Sequence, residues 1–169
     1  MTRMTNDPMG AAKELPADLR QWVDECHLIK LALEATQRVF SRTAEVGMPT
    51  GVALNPQMML TLLTYSYAAG MHASQDIEWF LYNDPVARYI CVGNYPEELS
   101  IRRFRRANRQ MIEHCLLHVF TEACKLKLAD VGPREGKPHR LDAQTYASIL
   151  EAARRRLQLA VLMDTAASE

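Results

Sequence analysis

The chain has 169 residues, 48% of them hydrophobic, and a formal net charge of zero at pH 7. That is enough for one domain with a real core and too little for two full-sized ones. Electroneutrality argues against a uniformly basic nucleic-acid binder, and no apolar stretch approaches the roughly 18–20 residues that span a bilayer.

Residues 1–14 carry no periodic pattern and read as a loose arm, and MTRMTNDPMG has polar residues where a secretory signal needs its apolar region. A cytoplasmic, soluble protein is expected. Leu19, Trp22, Val23 and Cys26 recur at helical spacing, which predicts a first helix from Pro16 or Ala17. Leu28, Leu31, Ala35 and Val39 predict a second through Phe40, and Gly47–Gly51 breaks the chain. Asn55 before Pro56 is a strong helix start, because the Asn side chain caps the first turn and proline lacks only an N–H that has no partner there. Met58, Met59, Leu62, Leu63, Tyr65 and Ala69 make this helix apolar on most sides, so it is expected at the centre, ending at Gly70.

Ser74 is expected to cap a short helix through Ile77, Phe80 and Leu81. Asp84-Pro85 starts another over Val86 to Ile90, and Gly93 to Pro96 is a further break. The next helix is predicted to begin between Glu97 and Ser100 and to run to about Leu128, its apolar stripe continuing through Met111, Cys115, Val119 and Leu126. Gly132, Pro133, Gly136 and Pro138 mark a basic loop over 129–141. Asp142 then caps a last amphipathic helix with a stripe of Tyr146, Ile149, Leu150, Ala153, Leu157 and Val161, and with Arg154, Arg155 and Arg156 on its polar side. No window alternates like a strand, and no repeat of 20–50 residues is present. The expected fold is all-α: a compact multi-helix domain over 15–128 with a helix-turn-helix-like segment, followed by a C-terminal helix and tail over 142–169.

Charge is distributed unevenly. Residues 1–101 hold 7 Lys and Arg against 12 Asp and Glu, residues 102–156 hold 13 against 6, and the rest 0 against 2, so the middle block is +7. Its densest part, SIRRFRRANRQ from Ser100 to Gln110, contains five arginines and no acid. On a continuous helix Ile101, Phe104, Asn108 and Met111 share one side, while Arg102, Arg106 and Arg109 lie opposite with Arg103 beside them. A run without interleaved acids forgoes the i,i+4 ion pairs that steady ordinary exposed helices, so a polyanion partner is expected over a merely solvated face. Arg105 lies only some 40° from the apolar stripe, which favours a structural arginine paired with a carboxylate such as Glu78 or Asp84. Asn108 and Phe104 belong to the core side.

The segment Asn55 to Arg106 resembles the N-terminal helical domain of InsH-type insertion-sequence transposases. NPQMMLTLLTYSYAAGMHASQDIE resembles the family's helix ending in an aromatic-rich turn and Gly, followed by a Ser-capped helix. NDPVARYICVG resembles its acid-x-x-Ala/Phe-x-Tyr segment, and YPEELSIRRFRR its Pro-Asp-x-x-Thr-Ile-x-x-Phe-Arg element. LPADLRQWVDE resembles the opening helix, so the likeness covers about residues 15–128. Met71-His72 and Gln75-Asp76 stand where the family commonly has basic residues, Glu97 stands for its Asp, and Ser100 for its Thr. The resemblance implies binding to double-stranded DNA. The family's three-carboxylate, two-metal chemistry needs a strand-rich core, and of the acids after Leu128, Asp130, Glu135, Asp142, Glu151, Asp164 and Glu169, none lies in a strand-like run. A non-catalytic DNA binder without metal or cofactor is therefore expected, with Arg102, Arg103, Arg106, Arg109, Gln110, Lys125 and Lys127 as the contact set and Arg154 to Arg156 broadening the positive surface. Alternatives are an interaction module that forms homodimers or pairs with a transposase through the last helix, and a truncated transposase remnant.

Other chemistry is weakly represented. Cys26, Cys91, Cys115 and Cys124 have no paired spacing and read as reduced thiols. His114 and His118 stand four apart, yet the HExxH glutamate is missing and only Cys26-His27 is left to complete a distant set, so helix histidines are expected in place of a zinc site. Tyr65, Tyr67 and Trp79 are expected to pack, not to stack on bases. No nucleophile elbow, Cys/His/Asn signature or phosphate-cradling glycine loop occurs.

Overall fold

The computed structural model describes residues 14–42, 54–130 and 140–167. The predicted arm ahead of Glu14, the break Gly47–Gly51, and Gly132, Pro133, Gly136 and Pro138 of the predicted basic loop lie outside the described residues. The described residues form a short 3-10 turn at Leu19–Gln21 and seven α-helices, with no strand. The helices are α1 Glu25–Arg42, α2 Pro56–Ala68, α3 Ser74–Asn83, α4 Pro85–Cys91, α5 Glu98–Ala107, α6 Arg109–Asp130 and α7 Ala143–Ala166. The chain is all-α, as the patterns predicted.

The centre is α2. From Pro56 to Met71 the sequence contains no charged residue, and every residue from Met59 to Ala68 is buried. Asn55 caps it as expected, its side-chain oxygen accepting from the backbone N–H groups of Gln57 and Met58. At its other end Gly70, at φ +85°, reverses the chain. Met71 N–H donates to Ser66 C=O at 2.8 Å and Gly70 N–H to Tyr67 C=O at 3.3 Å, the paired closure that a left-handed residue makes possible. Around α2 pack α1, α6, α7 and α4, while α3 and α5 lie against each other at one end and α7 reaches α3. Thr36 of α1 and Thr61 of α2 meet through their hydroxyls inside the α1–α2 contact.

Several predicted boundaries are corrected. The first predicted helix is only the 3-10 turn, capped by Asp18, with Cys26 already in α1; the four-residue apolar spacing bridges two elements separated by Asp24, whose side chain accepts from His27 N–H and so starts α1. Ser74 is not a cap but the first residue of α3, and its side chain is engaged elsewhere. The arginine-rich helix is not continuous: Asn108, at φ −122° and ψ 26°, ends α5 before α6 begins. Its backbone N–H donates to Phe104 C=O at 3.0 Å and its side-chain amide donates to the same carbonyl at 3.1 Å, a local side-chain bond that competes with regular helix at this position.

The last helix is rotated from its predicted phase. Its buried face is Thr145, Ile149, Ala153, Arg156, Leu157, Ala160 and Asp164, while Tyr146 and Val161 are exposed. Two charged residues thus occupy core positions, so α7 is an integral wall of the domain and not a detachable arm. Leu126 is likewise exposed, and Trp79, expected to pack, is 69% exposed, whereas Tyr65 and Tyr67 are fully buried.

Candidate anion-binding site

The arginine-rich segment forms an elbow. α5 is anchored by Ile101 and Phe104 in the core, and its first N–H is capped from outside by Glu78, which accepts from Glu98 N–H at 2.9 Å. The preceding helix α4 packs on α2 and α3, and α5 packs on α3. After the Asn108 break, α6 sets off with Arg109 and Gln110 exposed. Arg106 on one arm and Arg109 on the other therefore flank the bend.

Beneath the elbow lies a buried ionic joint of three helices. Arg105 donates to Asp164 at 2.5 Å, to the Ser74 hydroxyl at 3.1 Å and to the Tyr67 hydroxyl at 3.3 Å. Asp164 also accepts from Ser74 N–H at 2.8 Å and from its hydroxyl at 2.7 Å. Burial by itself raises the Asp164 carboxyl, but the Ser74 and Arg105 hydrogen bonds outweigh it and hold the group below its ordinary value. Burial likewise pushes Arg105 down, and Tyr67 and Asp164 more than offset it. Arg105 is structural, as its helical phase implied. Its partner is Asp164, however, not Glu78 or Asp84: Glu78 caps α5, and Asp84 accepts from Val86 N–H to cap α4.

The seven expected contact residues do not form one surface. Arg102 is half-buried, bonded to Glu98 and 3.6 Å from Asp164, so it is held in the joint and not free for a partner. Arg103, Arg106, Arg109 and Gln110 are exposed around the elbow, and none has an ion pair or side-chain hydrogen bond among the described residues. Lys125 lies about 24 Å farther along α6 and is turned about 160° from Arg109 by helix geometry; it pairs with Glu122 at 2.8 Å. Lys127 is half-buried in that distal region.

The expected basic extension on α7 is overturned. Arg154 pairs with Glu113 at 3.1 Å and Arg155 with Glu151 at 2.9 Å. Arg156 is buried and donates to the carbonyls of Pro16, Ala17, Tyr67 and Ala68 at 2.6–3.2 Å. Its guanidinium lies 5.1 Å from the centre of the Phe120 ring. Burial pushes Arg156 down to about 10, with Asp18 opposing. Three consecutive arginines on a helix sweep 200°, so they do not all share the solvent face.

Between the elbow and the end of α7 runs a cleft of about 390 Å³, with Arg102, Arg105, Arg106 and Arg109 on one side and Leu157, Val161, Asp164 and Thr165 on the other. Acids gather instead at the start of α5, where Glu78, Glu97 and Glu98 line a separate depression. Positive potential is therefore concentrated at the C-terminal half of α5 and the bend. A second groove, between α1 and α6, includes Arg38, His114, His118 and Lys125; burial first and the Arg38 charge second push His118 down. Among the described residues no group of three or more His, Cys, Asp or Glu is placed to hold a metal ion. Cys91, Cys115 and Cys124 are buried free thiols and Cys26 an exposed one. No described helix is long and apolar enough to cross a membrane.

No protein-family model matches the chain, and no curated protein or solved structure matches it significantly.

Proposed function

We propose that the protein binds double-stranded DNA, without catalysis by the residues present, through the exposed arginines of the α5–α6 elbow, in the manner of a transposase N-terminal domain. One observation carries the reading. Arg103, Arg106 and Arg109 are exposed without ion pairs among the described residues, whereas Arg102, Arg105, Arg154, Arg155 and Arg156 are each held. Gln110 beside them adds an uncharged donor and acceptor for base or sugar. The resemblance of the ordered motif pieces from Asn55 to Arg106 to the transposase domain supports the comparison.

Three phosphate contacts give a log–log salt slope of about −2.7, hence a loss of about 40-fold in affinity between 50 and 200 mM salt. A fluorescence-anisotropy titration of a labelled duplex checks this. Replacing Arg103, Arg106 and Arg109 together by Ala is expected to flatten the slope and remove most of the affinity, with the Arg154→Ala and Arg155→Ala pair as an unaffected control. Salt-independent affinity, or affinity that survives the triple replacement, sinks the reading.

A second reading, self-association or pairing with a transposase subunit, is favoured by apolar exposure: Trp79 is 69% exposed, Tyr89 67% and Leu162 63%. The contact would use these side chains and not the buried face of α7. Light scattering on Trp79→Ser and Leu162→Ser variants that keep their melting temperature checks it; a monomeric wild-type chain removes the homodimer.

A further inference from the structure

We infer that the cleft between the α5–α6 elbow and the end of α7 is a binding site for a small phosphomonoester carrying an aromatic or apolar body. Its charge is the first reason. The lining holds four guanidiniums and one carboxylate. Asp164 is already engaged by Ser74, Arg105 and Arg102, so it leaves the charges of Arg106 and Arg109 uncompensated. Two uncompensated cations call for a dianion. Guanidinium forks match phosphate oxygens bidentately, which a spherical anion or an ammonium-lined pocket does not exploit.

Shape and lining are the second reason. The volume of about 390 Å³ falls in the range of small-molecule sites, about 300–1,000 Å³. Opposite the arginines stands Val161, 39% exposed, backed by the buried Leu157. They give an apolar wall that a bare phosphate leaves uncovered and an aromatic ring covers. Thr165 lines the cleft and its hydroxyl donates to Val161 C=O at 2.8 Å, so its oxygen keeps acceptor capacity for a hydroxyl on the ligand body. The inner wall is rigid, since Arg105 is fixed by Tyr67, Ser74 and Asp164; a wall already ordered costs no side-chain entropy on binding.

The inference does not rest on duplex binding. Arg103 lies outside the cleft and belongs only to the DNA face, so the two readings separate by mutation. The experiment is calorimetric titration of the full chain at 150 mM salt with phenyl phosphate, inorganic phosphate and phenol as probes. Phenyl phosphate is expected to bind at least 10-fold more tightly than inorganic phosphate, and phenol not at all. Arg106→Ala combined with Arg109→Ala is expected to weaken phenyl phosphate at least 10-fold, while Arg103→Ala leaves it unchanged even if DNA affinity falls. As a second readout on the unmutated chain, phenyl phosphate is expected to shift the methyl resonances of Leu157, Val161 and Thr165 and not those of Leu126 on α6. Equal affinity for phosphate and phenyl phosphate, no binding of either, or indifference to the double replacement overturns the site.

Discussion

Asp164 and Arg105 are 59 residues apart in sequence and 2.5 Å apart in space, with both groups nearly excluded from solvent. Their contact joins α7 to α5, and Ser74 ties α3 to the same carboxylate. Removing one member of a buried pair strands the other, which costs about 3–5 kcal/mol. Asp164→Ala is expected to lose about that much in urea unfolding, and Asp164→Leu with Arg105→Met to recover a large part of it, because no charge is then left without a partner. The sign with pH follows from the depressed carboxyl: its stabilisation is present above the unfolded value of about 3.9 and is lost as pH falls through the lower folded value. An Asp164→Ala variant as stable as the parent chain contradicts the joint.

The buried Arg156 makes a prediction of a different kind. Among the described residues it has no bonded carboxylate; Nη1 donates to the backbone carbonyls of Ala17, Tyr67 and Ala68, and Nη2 to that of Pro16. Those of Tyr67 and Ala68 end α2, where the helix dipole favours a cation. A lysine has a single nitrogen, which at best takes the place of Nη1 and leaves the Pro16 carbonyl without its donor. Arg156→Lys is expected to cost about 2 kcal/mol and Arg156→Met about 3 kcal/mol or more, since each hydrogen bond to a charged donor is worth about 1.5–3 kcal/mol. Denaturant midpoints decide; a neutral lysine substitution refutes the division of labour between the two Nη groups.

Gly70 depends on the same corner. An added Cβ there meets Ala17 O at 2.8 Å, and Ala17 O is itself held by Arg156, so the clash is with backbone that is not free to retreat. The positive φ adds about 1–2 kcal/mol for any L side chain. Gly93 offers the control, because it has nearly the same φ, +83°, with nothing within 4 Å of the added atom. Gly70→Ala is expected to destabilise by clearly more than Gly93→Ala, about 3 kcal/mol against about 1 kcal/mol. Thermal melts of the two variants test this, and equal losses would remove the role of the close approach.

How far the sequence disclosed this arrangement depends on the range of each interaction. Local signals were readable: the Asn55-Pro56 and Asp84-Pro85 starts, the Gly70 stop, the Asp142 cap and the uncharged run of α2 all appear where they were expected. The core phase of Arg105 was readable too. Its partner was not, because Asp164 reaches it only through the packing of α7, and no local pattern encodes that. A signal for α7 was nonetheless present. Ile149, Ala153, Arg156, Ala160 and Asp164 follow i,i+4 and i,i+3 steps on one face, and the reading that grouped Arg156 with Arg154 and Arg155 by charge type overlooked it. The Asn108 break eluded the pattern for the opposite reason: apolar phase carries across it almost unchanged, and what separates the two helices is the Asn108 backbone, at φ −122° and ψ 26°, with its side-chain amide bonded to Phe104 C=O. Trp79 shows the limit of hydrophobicity as a guide to burial, for a large aromatic at helical spacing here faces solvent.

His72 gives the pH dependence near neutrality. Its ring stacks on Tyr67 with centroids 6.0 Å apart, and its Nδ1 is buried without a hydrogen-bond partner among the described residues. Burial first, and the nearby charge of Arg156 second, push it down from 6.5 to about 4. Between those two values the unfolded chain takes up a proton that the folded chain refuses, so stability falls as pH drops from about 6.5 toward 4 and is flat in this respect above 6.5. His118, shifted in the same direction by burial and then Arg38, adds to the trend. Urea midpoints at pH 7 and pH 5 are expected to differ in the parent chain, with the lower midpoint at pH 5, and His72→Gln is expected to narrow that gap while leaving the pH 7 midpoint nearly unchanged. A gap of the same width in the variant would mean that the ring is protonated in the fold, and that the Arg156 charge is screened from it.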